Sequence, residues 1–364
     1  MNFQLTEERQ MLQDTLRRFF ADTQDSPVEE RWTKLAELGV VGALFTEQQG
    51  GFGGAGFDLS VVFEELGRAG ASLPLLQTGV LAGGLIAELG SEAQQLLVEQ
   101  AIAGELQLAF AHGEPQSRYD LHRVSSTATE SGDGFVLNGH KSVVLNGSRA
   151  QQLIVSARTS GETSDEAGIS LFIVDADNPG VQRRSYETID GAGAAEIVLQ
   201  DCQVPSSALL GDAGAAFAAI EHQVARGCSA LCAEALGNME TAKDLTVEYL
   251  KTRKQFGVAI GKFQALQHRM ADVLIEVEQA RSATINTCGN LQQGRDMREL
   301  HVSAAKNLIG RVGRLVAEEA IQLHGGIGMT QEYSLGRLAK RLLMIDHELG
   351  DADHHLQRFI AFNR

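Results

Sequence analysis

A change of texture after Val204-Pro205 constrains this 364-residue chain more than any other feature. Upstream, from about Leu106, short β-branched runs such as GFVLNGHKSVVLNG, GISLFIVDAD and AAEIVLQDCQV are separated by Asn-Gly, Asn-Pro-Gly and Gly-Asp-Gly turns, the signature of antiparallel hairpins. Downstream, glycine and proline nearly vanish from long segments. Four stretches, roughly 214–253, 263–293, 297–324 and 333–348, carry apolar stripes at helical spacing and predict a helical bundle.

The first third predicts helices. Thr6 followed by Glu7 and Glu8 reads as an N-cap with acids in the first turn, and Leu5, Met11, Leu12, Leu16, Phe19 and Phe20 follow at helical spacing. Further helical patterning runs over 30–38, 60–68 and 78–102. Between the first two lies GGFGGAG, whose Gly51, Gly53 and Gly56 satisfy G-x-G-x-x-G. A dinucleotide site would want a βαβ continuation with an acid about 20 residues on, whereas the chain continues as helix, so the run reads as a loop. The expected class is α+β: an N-terminal α-helical domain (1–105), a middle antiparallel β domain (106–210) and a C-terminal four-helix bundle (211–364).

With 31 basic and 47 acidic residues the formal net charge is −16, which disfavours nucleic acid and anionic lipid as partners. MNFQLTEERQ carries no charged-then-apolar leader, and no apolar run approaches the roughly 20 residues of a membrane span, so a cytoplasmic location is expected. The four cysteines form no C-x-x-C; Cys228 and Cys232 share a helix face and read as core.

Two segments of the bundle invite chemistry. YLKTRKQFG places Arg253, Lys254, Gln255 and Phe256 at a helix end, and AIQLHGGIGMTQEY places Gln322, Gly325 and Gly326 at another. An arginine fork suits a diphosphate, and adjacent glycines let backbone approach an anion. Either segment alone is equally compatible with helix-end basic residues and a glycine stop.

Together, YLKTRKQFG…FQ and QLHGGIGMTQEY resemble the C-terminal domain of the acyl-CoA dehydrogenase family, and the α, β, α-bundle order resembles that fold over the whole chain. SRYDL, LCAEA and HGGIGMT…KRLLMIDHELGDADHHL are similar to the small subunit of two-component members such as pimeloyl-CoA dehydrogenase and the steroid side-chain enzymes. The resemblance implies FAD as cofactor, an acyl-CoA substrate and a second acyl-CoA dehydrogenase-like subunit in an α2β2 assembly. It also implies that Arg253, Gln255, Phe256, Gln322, Gly325 and Gly326 grip the cofactor's diphosphate and adenine end across a subunit interface. The family's ring-holding segments are altered: where it has TEPGAGSD this chain has residues 113–120, GEPQSRYD, and where it has Trp-x-Thr this chain has Val143-Val144-Leu145.

The family's E-G-T glutamate, the base that removes a proton from carbon, falls on Leu349, with Gly350 preserved. A second family location falls near Gly227, between Arg226 and Cys228. The neighbouring acids Glu348 and Asp351 are the remaining candidates, Glu348 diverging by about 100° from position 349 if the turn is helical. His347, His354 and His355 beside Asp346, Asp351 and Asp353 match no metal spacing, and no metal is expected; an interface or helix-capping role is the better reading of DADHH. Three readings follow: a subunit supplying cross-interface FAD contacts to a partner; a self-sufficient homo-oligomer with Asp351 or Glu348 as base; and a structural or regulatory subunit without flavin.

Overall fold

The computed structural model describes residues 5–363. In chain order the elements are α1 (Glu7–Asp22), α2 (Val28–Glu37), α3 (Gly56–Ala69), a π-helical turn (Leu75–Ala82) running into α4 (Gly83–Leu89), and α5 (Glu92–Ile102). Strands follow: β1 (Leu108–Ala111), β2 (Thr127–Ser131), β3 (Gly134–Leu145), β4 (Gln152–Arg158), β5 (Ile169–Asp175), β6 (Val181–Glu187), β7 (Gly193–Pro205) and β8 (Leu209–Leu210). Then come α6 (Phe217–Thr252), the hairpin β9 (Lys254–Gln255) and β10 (Val258–Ala259), α7 (Gln264–Asn290), α8 (Arg295–His324), α9 (Leu335–His347) and α10 (Ala352–Phe362). The chain divides into two compact units, one holding the stretch up to Asp25, Ala55–Ala71 and Cys228 onward, the other holding Ser26–Gly54 and Ser72–Gly227. No helix among the described residues is long and apolar enough to cross a membrane.

In the first unit α1 begins at Thr6, whose hydroxyl accepts from the Arg9 amide at 3.4 Å, and is tied to α3 by Arg9–Asp58 and Arg17–Glu65 ion pairs. A Cβ on Gly67 would strike the carbonyl of Glu234, and one on Gly237 that of Glu64. α3 and α6 therefore meet backbone to backbone, a separation only glycine permits. On α8, Val302, Ala305, Ile309, Val312 and Val316 are buried at helical spacing. The four expected bundle helices are present, with bounds within three residues of the pattern. α10 adds a helix beyond the four expected: Leu356, Phe359 and Ile360 share one face at helical spacing, but Leu356 and Ile360 are exposed and only His355 of its eleven residues is buried.

The second unit is built on an eight-stranded sheet, β6-β7-β3-β2-β4-β5-β8, with β1 on β4. Its pairings are antiparallel except β1–β4 and a single β2–β4 bridge, which are parallel. The long connection from Ala111 to Gln152 lets β1 run alongside β4 in the same direction, which a tight hairpin could not. Phe135, Leu137, Leu153, Val155, Phe172 and Ile197 fill the core. Arg158, 8% exposed, sends its guanidinium into the carbonyls of His122, Thr163, Asp165 and Ala167 at 2.9–3.1 Å and pins the β4–β5 connection. In the glycine run, a Cβ on Gly51 or Gly53 would collide with the carbonyls of Gly42, Phe45 and Ala43, so this is a tightly packed loop with no room for a ligand.

Candidate functional site

At the end of α6 the chain makes a two-residue hairpin turn. Phe256 and Gly257 both have positive φ, 52° and 81°, the turn that matches strand twist and ordinarily takes Asn-Gly. A phenylalanine in this region is an outlier, yet its ring is 91% exposed and meets only Phe263 edge-on, centroids 6.2 Å apart. Arg253, at the base of the hairpin, is exposed and its side chain makes no ion pair among the described residues. Gln255 is exposed, its amide turned back to the Lys254 carbonyl at 2.8 Å.

α8 ends at Gly325, whose φ of 65° and ψ of −142° exclude any residue with a Cβ. Its N–H is already used, bonded to the carbonyls of Gln322 and Ile321. A Cβ at Gly325 or Gly326 would meet nothing within 4 Å, and Gln322 is exposed beside them. Behind these segments His324 is buried between two phenol rings, Tyr249 at 4.6 Å and Tyr333 at 5.0 Å between centroids.

The elbow between α9 and α10 holds the segment where a base is expected. Leu349 occupies the left-handed region, φ 57°, followed by Gly350 at 115°. Glu348, 6% exposed, pairs with Arg341, which also holds Glu234 of α6 through bonds of 2.5 and 2.9 Å. Flanked by two carboxylates, the Arg341 guanidinium is held charged well above its ordinary range despite the cost of burial. Asp351 is the N-cap of α10, accepting from the His354 amide at 2.8 Å. Lys306, fully buried, donates to the carbonyls of Ile345, Asp346 and Gly350 at 2.7–3.1 Å. His355, with its pKa pushed well down by burial and by nearby Lys306, meets the Leu349 carbonyl at 3.0 Å. Sequence reading missed this scaffold, although Lys306 interrupts the apolar stripe of α8 four residues after Val302 and three before Ile309, which marks a buried cation.

In the second unit β3 carries a register shift between Lys141 and Val144, at which Val143 sits at φ 52° and is 54% exposed. Its N–H donates to Glu196 Oε1 at 3.2 Å, and Glu196 also receives Tyr186 Oη at 3.0 Å. Beneath the bulge, fully buried Lys141 donates to Glu114 Oε1 at 2.7 Å and to Ser156 Oγ at 3.1 Å. Burial alone would raise the Glu114 carboxyl, but Lys141 and the Ser126 N–H and hydroxyl hold it down at about 2. Arg118 is exposed with φ 49°. All four cysteines are free and buried, and burial pushes each thiol up, Cys228 to about 12. Among the described residues no cluster of three or more His, Cys, Asp or Glu is arranged to hold a metal ion.

Three family models tile the chain: acyl-CoA dehydrogenase N-terminal domain over 6–105, middle domain over 109–202 and C-terminal domain over 214–358. The chain belongs to the acyl-CoA dehydrogenase family. With membership come an oxidoreductase class acting on CoA thioesters and FAD as the cofactor. The chain is 31% identical to a probable acyl-CoA dehydrogenase, YngJ, of Bacillus subtilis, over 99% of this chain and 98% of that one. Among solved structures it superposes on the Tcur3481–Tcur3483 steroid ACAD with a TM-score of 0.86 and 32% identity, covering 98% of each chain. It also superposes on the ChsE4–ChsE5 complex of Mycobacterium tuberculosis with a TM-score of 0.89 and 26% identity, covering 99% of this chain and 98% of that one.

The donor set of the helical unit fits the diphosphate end of FAD. An exposed guanidinium at Arg253, an exposed amide at Gln322 and the unobstructed approach over Gly325 and Gly326 suit a doubly charged linkage. The bulge of β3 offers the flavin ring less: Val143 has no aromatic face to stack and Leu145 no hydroxyl to donate.

Proposed function

We propose that this acyl-CoA dehydrogenase chain is one subunit of a heteromeric enzyme, α2β2 with a second chain of the same family, that removes hydrogens from Cα and Cβ of a CoA thioester. FAD supplies the hydride acceptor. In this reading Arg253, Gln255, Phe256, Gln322, Gly325 and Gly326 hold the diphosphate and adenine end of a flavin whose ring and base belong to the partner. The observation that carries it is the assignment of carboxylates around Leu349. Glu348 is bound to Arg341 and Asp351 is capping α10, so neither acid is left to take a proton from carbon, while the anion-gripping residues remain open. The likeness to chains solved as paired assemblies supports a heteromer, and the steroid enzyme among them supports a steroid side-chain thioester as substrate class, with a dicarboxylic thioester as the alternative.

The test is made on the assembly with its partner, and Asp351→Asn is the informative variant. Turnover should stay within about threefold of the unaltered enzyme, whereas Arg253→Ala should lower the flavin-to-protein ratio. A loss of the 10²–10⁴-fold expected for a missing general base would identify Asp351 as that base and reject the heteromeric assignment.

A further inference from the structure

The two segments proposed to hold the diphosphate come from different helices, and a grip of this kind works only if their separation is fixed. One ring fixes it. His324 lies between Gln322 and Gly325 in sequence and is 3% exposed. Its Nδ1 lies 2.8 Å from the Ala320 carbonyl and its Nε2 3.1 Å from Tyr333 Oη, and the ring also meets the Leu245 backbone of α6. Tyr249 stacks on the ring, its plane at 25° to the imidazole. Tyr249 also receives the Arg253 N–H on its carbonyl at 2.8 Å, one helical turn before the hairpin. The imidazole thus joins the end of α6, the end of α8 and the loop that follows, and both of its nitrogens are committed.

We propose that His324, clasped by Tyr249 and Tyr333, is a positioning residue that sets the spacing between Arg253 and the Gln322–Gly326 turn for a dinucleotide diphosphate. This rests on the reading of those segments as the FAD grip, and the controls separate the two.

The experiment measures dissociation constants for FAD, and for ADP as a competitor that carries the diphosphate without the flavin, on the apo-assembly. The variants are His324→Phe, Tyr333→Phe and Arg253→Ala, each with its thermal midpoint and subunit composition. His324→Phe keeps an aromatic stack but loses both hydrogen bonds; FAD and ADP should weaken in parallel by about tenfold, the equivalent of one misplaced hydrogen bond. Tyr333→Phe should move both the same way by a smaller factor, and it decides the matter should His324→Phe fail to assemble. Composition should stay unchanged in all three; His324→Phe leaves buried polar groups unpaired and should lower the thermal midpoint by a few degrees, whereas Tyr333→Phe, which keeps the bond to Ala320, should leave it unchanged. Unchanged affinities in Tyr333→Phe and His324→Phe, with Arg253→Ala weakened, would overturn the role of His324 and leave the grip standing. An Arg253→Ala assembly that binds both ligands normally would overturn the grip and this inference with it. A loss confined to FAD, or one that in Tyr333→Phe is accompanied by a lower midpoint, would also overturn the inference, since it would mark a ring-end or purely structural effect.

Discussion

Leu349, Val143 and Phe256 each hold a side chain in the left-handed region, where an L-residue costs roughly 1–2 kcal/mol. In the proposed reading, 349 and 143 are where the resemblance puts a base and an indole, both replaced here, and 256 is where it puts the aromatic of the diphosphate grip. Phe256→Asn should therefore raise the unfolding free energy by about 1 kcal/mol in a denaturant titration, because asparagine tolerates the turn and little buried area is lost. The same change should reduce FAD retention in the assembly; two effects of the same sign would show that the ring does nothing for the cofactor. Asp351→Ala removes an N-cap and should cost about 1 kcal/mol in the same titration. Glu114 gives an acid signature. Its folded pKa of about 2 lies below the ordinary value of 4.5, so its contribution is complete above about pH 4.5 and is lost as pH falls through about 2. Glu114→Gln should flatten that part of the stability–pH curve and, by leaving Lys141 buried without its partner, lower stability at neutral pH by roughly 3 kcal/mol.

The α9–α10 elbow depends on Lys306, whose ammonium satisfies three carbonyls that would otherwise end a helix in the dark. Lys306→Met should cost roughly 3 kcal/mol and speed amide exchange selectively over 345–351; exchange rising uniformly along α8 would mean a general loss of packing instead. Elements of this kind show where sequence reading succeeds and where it stops. The long helices α6 to α9 were legible because each keeps an apolar stripe, and the sheet because Gly132-Asp133-Gly134, Asn146-Gly147 and Asn178-Pro179-Gly180 mark strand ends; Asn138-Gly139, which spells the same turn, lies instead inside β3 at a register shift. α10 was not: its short face of Leu356, Phe359 and Ile360 stays largely exposed, and the helix is set by its Asp351 cap and by side chains that meet it from α8. The grip motif was legible through its arginine and glycines. The triad of Glu234, Arg341 and Glu348 spans 114 positions, and the His324 clasp joins residues 249, 324 and 333; pairings of that reach are chosen by tertiary packing and leave no local pattern.

On the scale of the whole chain, element order was already visible in the succession of helical, β and helical textures, the family in the resemblance carried by YLKTRKQFG and QLHGGIGMTQEY, and the three family models follow that order. The net charge of −16 is a property of the surface as a whole and says nothing of where Arg253 meets an anion. What one sequence does not contain is the second chain on which the proposed chemistry depends. The decisive measurement is the flavin-to-protein ratio and thioester oxidation rate of this chain purified alone, set beside the same chain co-expressed with its partner. The expected result is colourless, inactive protein alone and a yellow, active assembly whose flavin is lost on Arg253→Ala. A chain that by itself carries one FAD per protomer and oxidises a CoA thioester, with that rate abolished by Asp351→Asn or Glu348→Gln, would contradict the proposal.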